Sequence, residues 1–498
     1  MINSFPEASA TEINEVMQRS LIAFHQYRNI SSENKALFLE TIANEIELLG
    51  DTLIDQAASE TNLPPTRLIG ERGRTTFQLR MFANMLREGS WVEASIDTAI
   101  PDKNPPKPDL RKLLIPLGPV VVFGASNFPF AYSTAGGDTA SALAVGCSVV
   151  VKAHPAHAAT SQMVNDAIQT AITKTKMPQY IFQHVHGSSF ESGKTLVQHD
   201  ATAAVGFTGS FAGGKALYDY AAARKNPIPV FSEMGSINPV VLFPDTLKIN
   251  AASLAKQYAA SITLGMGQFC TNPGLLIAIE TDGLNLFIET LSEEIEKVIP
   301  ANMLHAGIHS AYYKKMNDAL TQKGVALIKQ SSSKTENLQA LPTIAKVSGE
   351  IFLQNNLLHE EVFGPYSLLV VCKNVDELIE VWKSVRGQLT TSLMGTDKDL
   401  EEYTSLIQIA ETIAGRIVFN NVPTGVEVCP SMVHGGPFPA STDSRFTAVG
   451  INAAKRWVRP VCYQNCPQQL LPDELKNNNS KNIWRLLNNE WTKNDVKC

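Results

Sequence analysis

The stretch Val120-Val121-Val122-Phe123-Gly124-Ala125-Ser126-Asn127-Phe128-Pro129 decides the architecture. Four β-branched and aromatic residues predict a short buried strand, and the Gly and Pro that follow predict a tight turn out of it. The surrounding region, Leu113 to Val151, carries a single charge, Asp138. Pro and Gly interrupt it repeatedly, whereas a membrane span wants about 20 apolar residues in one helical register. Buried strands with a helix between them fit instead. Outward from this point the same pattern returns at Ser148 to Lys152, Ala203 to Phe207, Pro239 to Phe243, Leu275 to Ile279 and Ser367 to Cys372. Continuous apolar strands of this length, separated by helical segments such as Leu254 to Leu264 and Leu284 to Ile299, predict a parallel sheet covered on both faces, and so an α/β fold. The first ninety residues read as helices, because Leu39, Ile42, Ile46 and Leu49 recur at three and four, with Ser31 and Ser32 available as caps.

The change of pattern after Glu233 places a boundary near 234, and the segments expected are 1–234, 235–430 and 431–498. The Pro- and Lys-rich stretch 101–116 is expected to protrude. Lys476 to Asn482 reads as a polar linker before a solvated C-terminal helix.

The chain has 498 residues, with 42 Lys and Arg against 48 Asp and Glu, a formal charge of −6. That balance lacks the basic footprint of a nucleic-acid binder and points to small substrates. Seven cysteines, odd in number and scattered, argue against a disulfide framework and for a reducing compartment. The beginning Met1-Ile2-Asn3-Ser4-Phe5-Pro6-Glu7 has neither a basic nor an apolar secretory region, so the expected location is cytoplasmic, with no membrane partner. The pairs His154/His157 and His184/His186 lack Cys or carboxylate companions at zinc spacing, and no metal is expected. Cys462 and Cys466 are read as packing residues.

Five short stretches can carry chemistry. Gly267-Gln268-Phe269-Cys270-Thr271 sets a thiol among small and polar residues, although a lone Cys is commonly a small buried hydrophobe. Asn127, at the carboxyl end of a strand, can donate to a developing oxyanion or simply satisfy its turn. Gly206-Phe207-Thr208-Gly209-Ser210 leads into a helix and can present backbone N–H groups and a hydroxyl to a phosphate, but it does not match the usual dinucleotide fingerprint. Glu233 and Glu361 are carboxylates beside small or aromatic residues, suited to a general base and to a sugar's hydroxyls, or equally to a surface.

Together these stretches resemble the aldehyde dehydrogenase superfamily, from the N-terminal helices to about residue 470. The resemblance implies a Rossmann-like coenzyme domain, an α/β catalytic domain and a small oligomerisation extension. It implies Cys270 as nucleophile, Glu233 as base and Asn127 in an oxyanion hole. It places Lys152 and Glu361 on cofactor ribose hydroxyls, Ser210 and Gly209 at the pyrophosphate, and Phe363 beside the nicotinamide. Phe128, Phe269 and Thr271 fall next to the substrate. The aldehyde would pass through a Cys270 thiohemiacetal and thioester to a carboxylic acid. Members that prefer NAD commonly carry Glu where this chain has Pro155, so NADP is expected to be accepted and preferred, with NAD possible. A homodimer or homotetramer is implied, built through 101–116 and a strand near 455–463.

Gly70-Glu71-Arg72-Gly73-Arg74, Gly425-Val426-Glu427-Val428-Cys429-Pro430, His434-Gly435-Gly436-Pro437 and Arg459-Pro460-Val461-Cys462 are similar to one branch of that superfamily. The branch holds the 2-oxoglutarate semialdehyde (2,5-dioxopentanoate) dehydrogenases and NADP-linked long-chain aldehyde dehydrogenases. Arg74 is expected to bind a distal carboxylate bidentately, with Gln78 one turn on; the competing reading is an ion pair of Arg74 with Glu71. Long-chain aldehydes and succinate semialdehyde are alternative substrates. A non-catalytic dinucleotide-binding relative is the alternative from another class.

Overall fold

The computed structural model describes residues 5–385 and 387–497. Four helices, Ala10–Tyr27, Ser32–Leu48, Gly50–Thr61 and Pro65–Glu88, come first. Ser9 and Ser31 accept hydrogen bonds from the first turns of the two leading helices, which satisfies donors a helix leaves open.

Five strands then form a wholly parallel sheet in the order Phe182–Val185, Val149–Lys152, Val120–Phe123, Ala204–Thr208, Val230–Glu233. The central Val120–Phe123 pairs on both sides, Val121 opposite Val150 and Val205. Those three valines are fully buried, as strands covered on both faces require. A second, seven-stranded sheet runs 326–330, 343–348, 366–372, 275–279, 240–242, 388–394, 414–419, and only its first pair is antiparallel. Each sheet carries its own packed core. The strands 182–185, 326–330, 343–348, 388–394 and 414–419 of these two sheets were not anticipated. Gln388–Met394 reads Gln-Leu-Thr-Thr-Ser-Leu-Met, which lacks the apolar run that marked the others. Its threonine hydroxyls and its amide are instead paired inside the protein, Thr390 with Asn238, Thr391 with Trp382 and Gln388 with Ser236.

The expected C-terminal helix is absent. Arg485–Leu487 and Glu490–Thr492 form a hairpin that joins a third sheet, ordered 458–464, 110–116, 95–97, 485–487, 490–492. Nor is 476–482 a free linker. Fully buried Arg485 donates to the carbonyls of Lys476, Asn477 and Asn494, and buried Arg111 donates to Leu475. Two guanidiniums thus supply the donors that a helical tail would have found within itself. Of the stretch 101–116, residues Leu110–Pro116 are a strand of this sheet. Cys462, expected to pack, is exposed on the edge strand Val458–Gln464, and Cys466 is half-buried. No helix among the described residues is long and apolar enough to cross a membrane.

Candidate active site

A cavity of about 250 Å³ opens where the carboxyl ends of the parallel strands meet the second sheet, the usual place for a ligand in an open α/β sheet. Asn127, Glu233 and Cys270 share its wall with Phe128, Gly209, Ser210, Glu361 and Phe363. Residues from five distant stretches of sequence are therefore neighbours.

The thiol is presented by a contorted turn. Helix Pro244–Thr263 ends in three consecutive left-handed residues, Gly265, Met266 and Gly267, at φ +54°, +55° and +63°. Met266 has a Cβ and holds this conformation at a cost of about 1–2 kcal/mol. At Gly267 a Cβ would run into the Gly364 carbonyl. The two backbones meet there, which brings Cys270 and the 361–363 segment to one wall. Gln268, buried below, fixes the turn by donating to Gly265 O at 3.0 Å and accepting from Leu304 N at 2.9 Å.

Asn127 sits in the turn after strand Val120–Phe123. Its Nδ2 donates to Gln268 O at 3.2 Å, and its carbonyl accepts from Arg67 at 2.6 Å. The turn is pinned by Glu71, whose Oε1 accepts from the backbone N–H groups of Phe130 at 2.8 Å and Ala131 at 3.0 Å. Burial pushes the Glu71 carboxyl upward against the pull of Arg67.

Glu233 ends its strand and is almost wholly buried. The segment 434–441 crosses above it, bonding Met234 N to Ala440 O, and delivers a residue that had no assigned role, His434. Its Nε2 lies 3.4 Å from Cys270 Sγ and 2.9 Å from Glu233 Oε1. Burial opposes a proton on this imidazole, but the Glu233 carboxylate and the Cys270 sulfur outweigh it and hold the pKa up at about 10. His434 is therefore an imidazolium at neutral pH, placed between a sulfur and a carboxylate. The Glu233 oxygens receive no well-directed hydrogen bond, so the contact with His434 is an ion pair by distance rather than an aligned bond. Cys270 and His434 are 164 residues apart, and no local pattern links them; the His434-Gly435-Gly436 run was the available signal.

Gly209, Ser210, Glu361 and Phe363, expected to take a dinucleotide, all line the cavity. Gly209 and Ser210 stand exposed at the start of helix Phe211–Ala222, where Ser210 Oγ accepts from Gly213 N at 3.2 Å. Glu361 is set against Gly235, where a Cβ would strike its carboxylate. Burial lifts the Glu361 pKa to about 7, opposed by Lys315 and the Ser236 N–H, which leaves an acid poised to accept from hydroxyls. Lys152 and Pro155 lie one strand over and do not line this cavity. Lys152 Nζ donates to Gly187 O at 2.6 Å, and Pro155 is exposed at the head of a short turn.

On the substrate side Phe128 stacks edge-on with Tyr132 and Phe269, ring centres 5.2 and 5.8 Å apart. Thr271 is buried beneath. Arg74 lies over the Tyr132 ring at 5.4 Å, donates to its hydroxyl at 3.1 Å and has a buried Nε without a partner. No Arg74–Glu71 ion pair forms among the described residues: Arg74 turns to Tyr132, while Glu71 gives Oε1 to the turn and leaves Oε2 without a hydrogen bond. Gln78, expected beside Arg74, is not brought to the cavity. It is buried, its Oε1 3.2 Å from where a Cβ on Gly137 would lie, against the start of the helix Gly137–Val145. Two cations went unforeseen. Arg67 lies over the rings of Phe128 and Phe269 at 5.0 and 4.7 Å, and Arg416 is braced by the carbonyls of Gly425 and Pro423 with an unpartnered Nε.

The family model described as "Aldehyde dehydrogenase family" matches residues 1–441. Alpha-ketoglutaric semialdehyde dehydrogenase 2 of Azospirillum brasilense is 46% identical over 97% of this chain and 92% of its own. The alpha-ketoglutaric semialdehyde dehydrogenase of Acinetobacter baylyi is 43% identical over 98% and 93%. Among solved structures, the glyceraldehyde-3-phosphate dehydrogenase GapN of Methanocaldococcus jannaschii complexed with NADP superposes with a TM-score of 0.77 at 19% identity, covering 93% of this chain and 96% of its own. A 1-pyrroline-5-carboxylate dehydrogenase from Thermus with bound NAD gives 0.78 at 18%, covering 92% and 86%. These two share the fold.

An imidazolium 3.4 Å from a sulfur stabilises its anion. Replacing it, His434→Gln, should slow iodoacetamide alkylation of Cys270 at pH 7 by about tenfold or more, read by mass spectrometry of the labelled peptide; an unchanged rate would separate His434 from the thiol's reactivity.

Proposed function

The chain belongs to the aldehyde dehydrogenase family, NAD(P)-dependent enzymes that oxidise aldehydes, and from that premise we propose that it converts 2-oxoglutarate semialdehyde (2,5-dioxopentanoate) to 2-oxoglutarate. The observation that carries the reading is the meeting of Cys270, Glu233 and Asn127 in one cavity, with His434 between the first two. The substrate reading draws on the two relatives more than 40% identical over nearly the whole chain.

The Cys270 thiolate, paired with the His434 imidazolium, attacks the aldehyde carbon. A C–S bond forms and the carbonyl electrons move to oxygen. Asn127 Nδ2, held near Gln268 O in the resting site, donates to that oxygen, a contribution of about 3–4 kcal/mol to the barrier when preorganised. As the oxygen's electrons return to carbon, the substrate C–H bond breaks and its hydrogen leaves as hydride, so that a Cys270 thioester remains; the bound nicotinamide would supply the acceptor for that hydride. Glu361 and Lys152 would hold its riboses, Gly209 and Ser210 its pyrophosphate, and Phe363 the nicotinamide side. Glu233, whose oxygens carry no directed donor, takes a proton from water. The water oxygen adds to the Cys270 thioester, the C–S bond breaks, and the acid leaves with the thiolate regenerated.

A substrate with a carboxylate and a keto group suits the far end, where Arg74 has donors to spare over Tyr132 and Arg416 adds charge. A long hydrocarbon gains nothing from those cations. Without a carboxylate at Pro155 to repel a 2′-phosphate, NADP is the preferred dinucleotide, with Lys152 as a phosphate neighbour. The exposed edge strand Val458–Gln464 suits pairing with a second copy of the chain.

Reduced nicotinamide should form fastest with 2-oxoglutarate semialdehyde when compared with succinate semialdehyde and dodecanal, and Cys270→Ala should abolish it while cofactor binding persists. No turnover with any aldehyde would overturn the reading in favour of a binding protein. Arg74→Met should raise KM for 2-oxoglutarate semialdehyde about 10- to 100-fold, the loss of a charged hydrogen bond worth about 1.5–3 kcal/mol, and spare neutral aldehydes; an equal effect on both would make Arg74 structural. Pro155→Glu should lower the ratio of kcat/KM for NADP over NAD by at least about tenfold, because like charges brought together cost several kcal/mol.

A further inference from the structure

Cys270 Sγ, His434 Nε2 and Glu233 offer one soft and two borderline or hard ligand atoms that all lie within 4.8 Å of one another. They are the only such group of three or more potential ligands among the described residues. We propose that this constellation is also a binding site for a thiophilic divalent cation of the zinc type, and that the cation switches the enzyme off by capturing its nucleophile.

The separations suit the ion. Around Zn²⁺, bonds of about 2.3 Å to sulfur and about 2.0–2.1 Å to nitrogen and oxygen set tetrahedral ligand atoms about 3.3–3.6 Å apart. The sulfur–nitrogen separation of 3.4 Å falls in that range, and the nitrogen–oxygen separation of 2.9 Å needs to open by about 0.4 Å. The remaining edge, no more than 4.8 Å, needs to close by at most about 1.3 Å, within the reach of a side-chain torsion. The carboxylate supplies the independent argument. Both Glu233 oxygens are buried without a directed hydrogen bond, an unmet acceptor capacity that a cation would satisfy. Binding exchanges the imidazolium proton of His434 for the metal and releases that proton to solvent. Three protein ligands leave the fourth position facing the cavity, open to water.

The same separations serve a metal-free thiolate–imidazolium–carboxylate group, so the measurement must see the metal itself. Co²⁺ titrated anaerobically into the full-length, cofactor-free protein should give one equivalent of tetrahedral visible bands with a near-ultraviolet sulfur-to-metal charge-transfer band. That band should vanish in Cys270→Ser, which subtracts the other thiols. His434→Asn should weaken the ion by more than the roughly 10- to 100-fold that an outer-shell partner costs. Zn²⁺ should protect Cys270 of the wild-type protein from iodoacetamide, reversibly with EDTA, a readout that needs no variant to fold. A sulfur band that survives Cys270→Ser, or alkylation unaffected by Zn²⁺, would overturn the site. None of these signals requires turnover: aldehyde oxidation without the cobalt band sinks the metal alone, and the band without oxidation sinks only the dehydrogenase reading.

Discussion

An imidazolium held between a sulfur and a carboxylate is the constraint around which the centre of this protein is arranged. His434 keeps its proton to about pH 10 only because Cys270 and Glu233 lie against it. Burial alone would have discharged it. Each member costs free energy in isolation, and removal of one leaves its partner buried and unpaired. The three are consequently sensitive to each other's placement, and the scaffold answers with rigid supports: the glycine contact between 267 and 364, the Glu71 carboxylate pinning the turn after Asn127, and the 434–441 segment laid across the end of a parallel strand.

Around that centre, charge and aromatic surface are distributed by function. The cofactor side is lined by backbone, glycine and one acid near neutrality. The opposite side is a set of three rings, Phe128, Tyr132 and Phe269, flanked by Arg67 and Arg74. Guanidiniums stacked on rings keep donors free, so the wall is hydrophobic in bulk and cationic at chosen points.

Much of this was legible because it is local. Strands such as Val120–Phe123 and Leu275–Ile279 announce themselves by continuous apolar runs, and Cys270, Glu233 and Asn127 stand in short motifs that carry their own turn chemistry. What escaped is non-local or polar. The strand Gln388–Met394 is buried through paired hydroxyls and amides, which a reading of hydrophobicity passes over. The C-terminal hairpin is chosen by buried Arg111 and Arg485, one of them more than 360 residues from the carbonyl it meets. His434 is a partner of Cys270 only in three dimensions. Gln78 shows the opposite error: shared helical spacing with Arg74 says nothing about which part of that face reaches a cavity.

The third sheet joins segments that are far apart in time as well as in sequence. Ser95 lies opposite Leu486, and Ile96 opposite Leu487, so a strand made early on the ribosome waits for residues translated much later. Until those residues emerge, Ile96 and Leu113 lack the cover that Ile483 and Val496 provide in their small core. Pairings of such long range are slow to close and leave strand edges open meanwhile. This corner of the molecule is thus sealed late in synthesis, and is a place where a nascent chain is open to capture by another.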